Sequence, residues 1–455
     1  MVSQKIWCLG AINLINEMKK VYLMSLLLAL PLFSFGQTWS INECIDYALI
    51  HNPEILHRQL QYDNQKEVLN EAAITRVPVI SVGVQETIHT GNTLIMYSVD
   101  ENLTMSLTQV AASLEMPLFT AGSISNSKTA EQYTLKAAAE NISVSKINVK
   151  IRVAAAYMQL LNDISQEQIS KEQVDLCQEQ LQNIIRLVEE GKRTNADLAE
   201  ARSALSSAEH MYTAAKGNTI ISKVDLINLI GLDDDGDFEI EQMDDSVEDT
   251  DPMPLLPMLG NIDNYPTVLA ARFNMTSAEY RQKAAAGALY PQVSLFANYN
   301  NYFYLPFGIK DGKEEFHLGS QLGMNGWGAL GLKLAIPILN LSTNRKVTRA
   351  KIAYNDAQVT LDESRKEVSK QLREAYYQTL TAKERYTSAS KAESAAYEAY
   401  DYQKKMYDVG RSTTYDLDQS RLKWFAASEE VIRAKYEYIL RNKVLEYYNG
   451  HFATE

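Results

Sequence analysis

The sequence contains two copies of one pattern, and this internal duplication limits the fold more than any other feature. Pro53 and Pro266 lie 213 positions apart, and Gly191 and Gly410 lie 219 positions apart. Similar offsets of 213, 220, 219 and 219 positions separate Pro78 from Pro291, Pro117 from Pro337, Asp197 from Asp416, and Arg202 from Arg421. A period this long exceeds that of any solenoid repeat. We therefore expect two copies of one structural module, side by side in a single body.

The first 36 residues have the pattern of a secretory signal peptide and are excluded from the fold. Met18 and two lysines form a basic segment, residues 21–30 are apolar, and the small residues Ser34 and Gly36 precede a cleavage point. We interpret Met18 as the probable start, with residues 1–17 as an upstream extension; the alternative is an unusually long basic segment. Either form predicts export from the cytoplasm.

Each copy is predicted to run helix, β-hairpin, long helix and second helix. The first copy, 38–232, would hold a helix over 42–75, a hairpin over 78–118, a long helix over 124–190 and a helix over 195–231. The second copy, 261–450, would hold an opening helix, a hairpin over 291–338, a long helix over 343–409 and a helix over 414–448. Residues 233–260 form an acidic linker, for which a calcium-binding loop is a minor alternative.

The two long helices are the main evidence for a coiled-coil body. Neither 124–190 nor 343–409 contains proline or glycine, and at 1.5 Å per residue each would extend roughly 100 Å. Two heptad seams run along the first, one through Ile147, Ile151, Ala154, Met158 and Leu161, the other through Val149, Val153, Ala156, Leu160 and Ile164. A helix with two seams can pack a neighbour on each side, as a cylinder of helices requires.

The predicted strands alternate apolar and polar residues, which is typical of an outer-membrane barrel wall. In the first strand Ile80, Val82 and Val84 share one face, and Ser81 and Gln85 share the other. Each strand is expected to have about 10–13 residues, enough to cross a bilayer at a tilt. The alternative is a half-buried hairpin on a soluble core. Four strands cannot close a barrel, and because two chains would give a filled lumen, three chains are favoured.

Composition excludes several classes of function. A net charge of −13 argues against nucleic-acid binding. The chain has no GxSxG, HExxH, P-loop or GxGxxG motif, so we expect no enzyme activity, no cofactor and no metal. Cys44 and Cys177 lie far apart without a CxxC motif, which favours two buried free thiols over a disulfide or a metal pair.

With its duplicated turns, Gly191…Asp197…Arg202 and Gly410…Asp416…Arg421, the chain resembles the TolC-type outer-membrane efflux proteins over residues 38–450. The resemblance implies a mostly helical α+β homotrimer, in which a twelve-stranded barrel in outer-membrane lipid continues into a long periplasmic helical barrel. It further implies a passive exit duct of a tripartite efflux pump or type I secretion system. Its partners would be a periplasmic adaptor protein and an inner-membrane transporter.

The resemblance also implies a gate at the helical tip. Its polar links match Tyr407, Asp416 and Asp197, whereas the family's arginine position holds Ser412, with Arg411 one residue earlier. A second acidic position of the family holds Gln419, with Asp418 beside it. The alternative role for Asp197 is to stabilise a helix N-terminus, and both roles can hold together.

The tip turns are also the candidates for adaptor contact. These residues are Gly191, Lys192, Arg193, Gly410, Arg411 and Ser412, of which the side chains at 192, 193, 411 and 412 are expected to be exposed. A different class of function remains open at this stage, a periplasmic coiled-coil adaptor or scaffold without a pore. Extraction into buffer without detergent would favour that class.

Overall fold

The computed structural model describes residues 38–95, 98–233, 238–242, 254–307 and 318–449. The predicted signal peptide therefore lies outside the described residues, as does the middle of the loop between the second pair of strands. Parts of the acidic linker also lie outside them.

The elements follow the predicted order twice. The first copy contains β1 (Thr38–Trp39), α1 (Ile41–His51), α2 (Pro53–Ile74), β2 (Val79–Ile95), β3 (Ser98–Phe119), α3 (Ser123–Glu189) and α4 (Asn195–Ile230). The connecting segment contains β4 (Glu239–Ile240), α5 (Leu255–Gly260) and a 3-10 turn (Ile262–Asn264). The second copy contains α6 (Pro266–Gly287), β5 (Gln292–Pro306), α7 (Leu318–Met324), β6 (Trp327–Ala335), α8 (Leu341–Asp408) and α9 (Thr414–Asn449).

Local sequence explains where the first helices begin and end. Ser40 and Glu43 form a capping box at the start of α1. The Asn52 side chain accepts from the backbone N–H of Glu54, and Pro53 occupies the first position of α2. Proline fits there because its missing N–H is not needed in the first turn. The single helix expected over 42–75 is therefore two helices, and the second begins at Pro53.

The four long strands form one antiparallel sheet in the order β2-β3-β5-β6. Within the described residues, β2 and β6 each have one edge without a strand partner. The strands have 17, 22, 15 and 9 residues, so the expectation of about 10–13 for each strand is wrong. One face is apolar and exposed, and includes Ile80, Val82, Val84, Ile88, Leu330, Leu332 and Leu334.

Helix α7 explains why β6 is short. Pairing of β5 with β6 stops at Asn300 opposite Trp327. Beyond that point the Gln321 side chain accepts from the N–H of Tyr304 at 2.7 Å and donates to its carbonyl at 3.0 Å. The Asn325 amide donates to the carbonyl of Tyr302 at 2.8 Å. Side chains from α7 and from the residue that follows it thus satisfy the edge of β5 where a strand would otherwise be required.

The helices form one layer that continues from the sheet. Near the sheet, neighbours follow the order α2-α3-α6-α8, and at the far end they follow α4-α3-α9-α8. The main core gathers around the middle of α3 and includes Cys44, Val149, Val153, Tyr157, Leu161, Leu226 and Ile230. At both ends of the layer the first copy supplies one edge and the second copy supplies the other.

The acidic linker is more than a solvated connection. Its residues Glu239–Ile240 pair in parallel with Thr38–Trp39. The hydroxyl of Tyr157 lies 3.1 Å from the carbonyl oxygen of Trp39 and 2.9 Å from that of Glu241. The small sheet β1-β4 is therefore attached to α3.

The prediction for the cysteines is confirmed, since Cys44 and Cys177 are both free and buried. Burial raises the pKa of the Cys44 thiol to about 12. Among the described helices, none combines the length and the hydropathy needed to cross a membrane.

Candidate functional site at the helical tip

Two matching turns form the end of the helical layer that lies away from the sheet. Gly191 has φ +69° and Gly410 has φ +74°, the left-handed conformation that glycine adopts without a Cβ clash. In each turn the amide after the glycine donates back to the last helical turn at 2.8 Å, Lys192 to Leu187 and Arg411 to Met406. These hydrogen bonds satisfy carbonyls that the ends of α3 and α8 leave open.

The two predicted aspartates start the helices that follow the turns. Asp197 Oδ2 accepts from the backbone N–H of Thr194 at 3.0 Å and from its hydroxyl at 2.8 Å. The hydroxyl of Thr413 donates to Asp416 Oδ2 at 2.6 Å. The backbone N–H of Thr194 is the main cause that holds the pKa of Asp197 below its usual range, and its hydroxyl adds to this. Asp197 therefore completes a capping box with Thr194, whereas at the second turn the Thr413 hydroxyl accepts from the backbone N–H of Asp416 and the Asp416 carboxylate accepts only from that hydroxyl among the described residues.

Two contacts connect the first turn to the second. The Arg193 guanidinium carbon lies 4.8 Å from the centre of the Tyr407 ring, a cation–π distance. The hydroxyl of Thr414 donates to Asp197 Oδ1 at 3.3 Å. Asp197 thus uses one carboxylate oxygen for its own helix and the other for the opposite turn.

The structure brings some predicted residues together and leaves others apart. Tyr407 is buried, and within the described chain its hydroxyl has no hydrogen-bond partner, so it meets a cation and no carboxylate. Asp416 is exposed and is hydrogen-bonded only to Thr413 among the described residues. Ser412 is half-buried and accepts from Gln403.

The four expected contact side chains differ in exposure. Lys192 and Arg411 are exposed, whereas Arg193 and Ser412 are half-buried. The ammonium of Lys192 lies 2.8 Å from the carboxylate of Glu190. Arg193 is held back from solvent because it lies over an aromatic ring, so the expectation of four exposed side chains is wrong for two of them.

Sequence reasoning missed a buried cluster behind the tip. The Arg421 guanidinium lies 2.7 Å from Asp418 Oδ1 and also donates to Gln180 Oε1 of α3. Burial raises the pKa of Asp418, while the nearby Arg421 charge opposes that rise. The signal was available in part, since Arg421 belongs to the duplicated pattern and Asp418 lies three positions before it, on the same helical face.

A groove of about 660 Å³ opens beside this cluster, between α3, α8 and α9. Its walls include Glu179, Gln180, Arg186, Lys404, Tyr407 and Arg421. Among the described residues no group of three or more His, Cys, Asp or Glu side chains is placed to hold a metal ion. The arrangement offers polar links between helices, which can hold a tip together or release it.

Comparisons with known proteins agree with this architecture. The outer membrane efflux protein of Brucella suis called BepC is 20% identical over 353 residues, which cover 76% of this chain and 73% of that protein. The solved Campylobacter jejuni CmeC outer membrane channel superposes with a TM-score of 0.76 at 18% identity, over 91% of this chain and 87% of that one. The Vibrio cholerae outer membrane protein VceC gives a TM-score of 0.73 at 15% identity, over 90% and 96%.

The sequence profile of the outer membrane efflux protein family matches residues 44–232 and 261–450. These two segments carry both copies of the duplicated module, including both tip turns and both long helices. The chain therefore belongs to the outer membrane efflux protein family.

Proposed function

We propose that this chain is one third of a passive exit duct that crosses the outer membrane and the periplasm. The observation that carries the proposal is that the sheet and the helical layer are open at the same two edges. β2, α2 and α4 of the first copy lie at one edge, and β6 and α8 of the second copy lie at the other. Copies placed edge to edge would continue both layers, and three copies would supply about twelve strands, enough for a water-filled barrel.

The chemistry of the two sheet faces supports insertion of the sheet into lipid. The apolar face carries exposed Val, Ile and Leu side chains on its two outer strands, β2 and β6. The opposite face carries Ser81, Ser113, Glu115 and Lys333 around a cavity of about 520 Å³. An apolar outer face and a polar inner face are what a membrane barrel with an aqueous lumen needs.

The helical layer supplies the part of the duct that extends from the membrane. Helix α3 has 67 residues and α8 has 68, which corresponds to roughly 100 Å at 1.5 Å per residue. This length suits a periplasmic tunnel. Its tip would hold a gate formed by Asp197, Tyr407 and Asp416, with Arg193 as the cation that meets Tyr407.

The tip turns are the surface that we assign to partners. Lys192 and Arg411 project into solvent there, next to Gly191 and Gly410. An adaptor protein would dock on these turns, and an inner-membrane transporter would provide energy, since the duct itself has no catalytic chemistry. The duct would serve an efflux pump or a type I secretion system.

Bilayer recording of the purified protein tests the proposal. We expect a trimer in detergent, with low conductance that rises in Asp416→Ala, because this variant removes a negative charge and the hydrogen bond from Thr413 at the gate. Asp175→Ala, which changes an exposed carboxylate on α3 about four helical turns before Gly191, is the matched control and should leave conductance unchanged. A monomer that stays in solution without detergent would support the adaptor or scaffold alternative instead.

A further inference from the structure

The same face of the module is covered in one copy and bare in the other. Helix α9 of the second copy packs on α3 of the first. By the internal repeat, α4 is the counterpart of α9 and α8 is the counterpart of α3, yet α4 and α8 lie at opposite edges of the layer. Arg421 of α9 has a side chain only 4% exposed, whereas its repeat counterpart Arg202 on α4 is exposed.

The covered face defines a register. Arg421 is hydrogen-bonded to Gln180, and the hydroxyl of Tyr436 lies 3.2 Å from that of Ser165. The residue numbers of each pair add up to 601, as expected for antiparallel helices with one fixed register. A residue of α3 has its repeat counterpart on α8 at a number higher by 219, and a residue of α9 has its counterpart on α4 at a number lower by 219. The sum of the two residue numbers is therefore unchanged, and contacts between α4 and α8 in the same register should also join residues whose numbers add up to 601.

Charged side chains on α4 and α8 complement one another in that register. The pairs whose numbers add up to 600, one position away, are Arg202 with Glu398, Glu209 with Lys391, and Lys216 with Glu384. All six side chains are exposed, and none has an ion-pair partner within the described chain. On each helix they recur every seven residues. Opposite charges at heptad spacing along facing helices are the pattern that sets partner choice and register in coiled coils.

The exposure of apolar side chains also indicates, independently of charge, that α4 and α8 each have an uncovered face. Ile220 and Ile221 on α4 are 56% and 60% exposed, while their counterparts Ile439 and Leu440 pack against the main core. Tyr377 on α8 is 59% exposed, while its counterpart Met158 is 2% exposed. Tyr377 also lines an open groove of about 470 Å³ on α8. Positions that are buried in the core in one copy are thus exposed in the other, where no described helix of the same chain covers them.

We infer that α4 of one copy packs antiparallel on α8 of a second copy, with Arg202 opposite Glu398, Glu209 opposite Lys391 and Lys216 opposite Glu384. The inference rests on the proposed trimer and adds the residues through which neighbouring copies select each other and fix their height. The occupant of both bare faces is the same chain, because each face complements the other in charge and repeats a contact that already exists within the chain.

Site-directed cross-linking tests the register. In detergent, the full chain carrying Lys216→Cys and Glu384→Cys should give covalent dimers and trimers with a short bis-methanethiosulfonate reagent. The chain carrying Lys216→Cys and Lys391→Cys is the matched control, since its second thiol lies about 10 Å further along the helix. The thiols of Cys44 and Cys177 are buried, and the unsubstituted chain controls for all native cysteines. Equal cross-linking of both pairs, or cross-linking of the control alone, would overturn the register.

Charge exchange tests the pairs themselves. Arg202→Glu and Glu398→Arg, each made alone, should weaken trimer association about tenfold, because three interfaces each exchange an attractive pair for a repulsive one. The double variant should recover the association of the unsubstituted chain. If the unsubstituted chain forms a trimer but the double variant associates as weakly as the single variants, the proposed residue pairing is wrong and the proposed function is unaffected. If the unsubstituted chain forms no trimer, the proposed function itself fails.

Discussion

The guanidinium of Arg193 lies over the ring of Tyr407, with 4.8 Å between the guanidinium carbon and the ring centre. The two residues come from different copies of the module, so the contact joins the tip turns of one chain. The resemblance implied an arginine at position 412, where this chain has a serine. Here the cation that meets the tyrosine comes instead from the first turn, two residues after Gly191.

Loss of the Arg193 cation should loosen the proposed gate. In Arg193→Ala the ring of Tyr407 loses a contact of about 0.5–2 kcal/mol, while the Thr414–Asp197 hydrogen bond between the turns stays in place. We expect a several-fold higher open probability in planar-bilayer recording. Lys192→Ala is the control, since in the part of the chain that the structure describes Lys192 pairs only with Glu190 of its own turn. Equal conductance of the two variants would show that Arg193 does not hold the tip closed.

Substitution of the left-handed turn glycines by alanine should destabilise the protein through backbone strain and not through a steric clash. Gly410 has φ +74° and open space around the place of a Cβ, so Gly410→Ala introduces backbone strain of about 1–2 kcal/mol without a clash. Gly410→Asn should lose less, because asparagine tolerates this conformation. Thermal unfolding followed by helical circular dichroism would rank them, and an alanine variant as stable as the unsubstituted protein would contradict the assignment.

The cap at Asp197 should make the tip sensitive to acid. The pKa of this carboxyl is lowered in the folded state from 3.8. The ionised carboxylate therefore stabilises the folded protein above pH 3.8, and this stabilisation is lost as the pH falls through the folded pKa. Asp197→Asn should therefore unfold more easily than the unsubstituted chain at neutral pH, by at most about 1 kcal/mol for an exposed cap. The two proteins should converge in strong acid.

Urea unfolding at neutral and acidic pH measures this convergence. Asp175→Asn is the control, since Asp175 is exposed on α3 and has no hydrogen-bond partner in the described chain. It should match the unsubstituted protein at every pH. A constant difference between Asp197→Asn and the parent across the pH range would show that the carboxylate charge is irrelevant to the cap.

Those parts of the fold that depend on periodicity could be predicted from the sequence. The long helices follow from two stretches without proline or glycine, and the alternation of Ile80 and Val82 with Ser81 assigns the sheet faces. Contacts between side chains distant in the chain could not be predicted, because no local pattern encodes them. Arg193 was assigned to a surface for adaptor contact, and only the geometry shows that it lies on Tyr407.

The prediction of strand lengths was wrong for a related reason. Periodicity shows that a strand exists, while its end depends on what else can satisfy the edge of its neighbour. Gln321 satisfies the edge of β5 from within a loop helix, and no alternation marks that residue. The pairing of Glu239–Ile240 with Thr38–Trp39 was hidden in the same way, since two-residue strands have no measurable period.

Removal of one hydroxyl should detach this small sheet. The Tyr157 side chain is buried, and its hydroxyl is the contact from α3 to the carbonyls of Trp39 and Glu241. Tyr157→Phe removes the one hydroxyl proton that these two part-buried carbonyls share and should cost about 0.5–1.5 kcal/mol. We expect a lower unfolding temperature and faster protease cleavage near Glu239–Ile240. Tyr415→Phe, at an exposed ring with no partner in the described chain, should change neither quantity.

The last prediction concerns the edge of β5. Gln321→Leu keeps the bulk of a buried side chain but leaves the N–H and the carbonyl of Tyr304 unpaired, at about 1–3 kcal/mol each. Because water replaces these bonds poorly at a half-buried edge, we expect α7 to lift from the strand and the proposed barrel to denature at a lower temperature on heat-modifiability gels. Gln109→Leu is a control on the polar face, where the lost side-chain bonds of 3.3 and 3.4 Å are long and leave no backbone group unpaired. If both variants denature at the same temperature as the parent, α7 does not stabilise the sheet, and the short β6 needs another explanation.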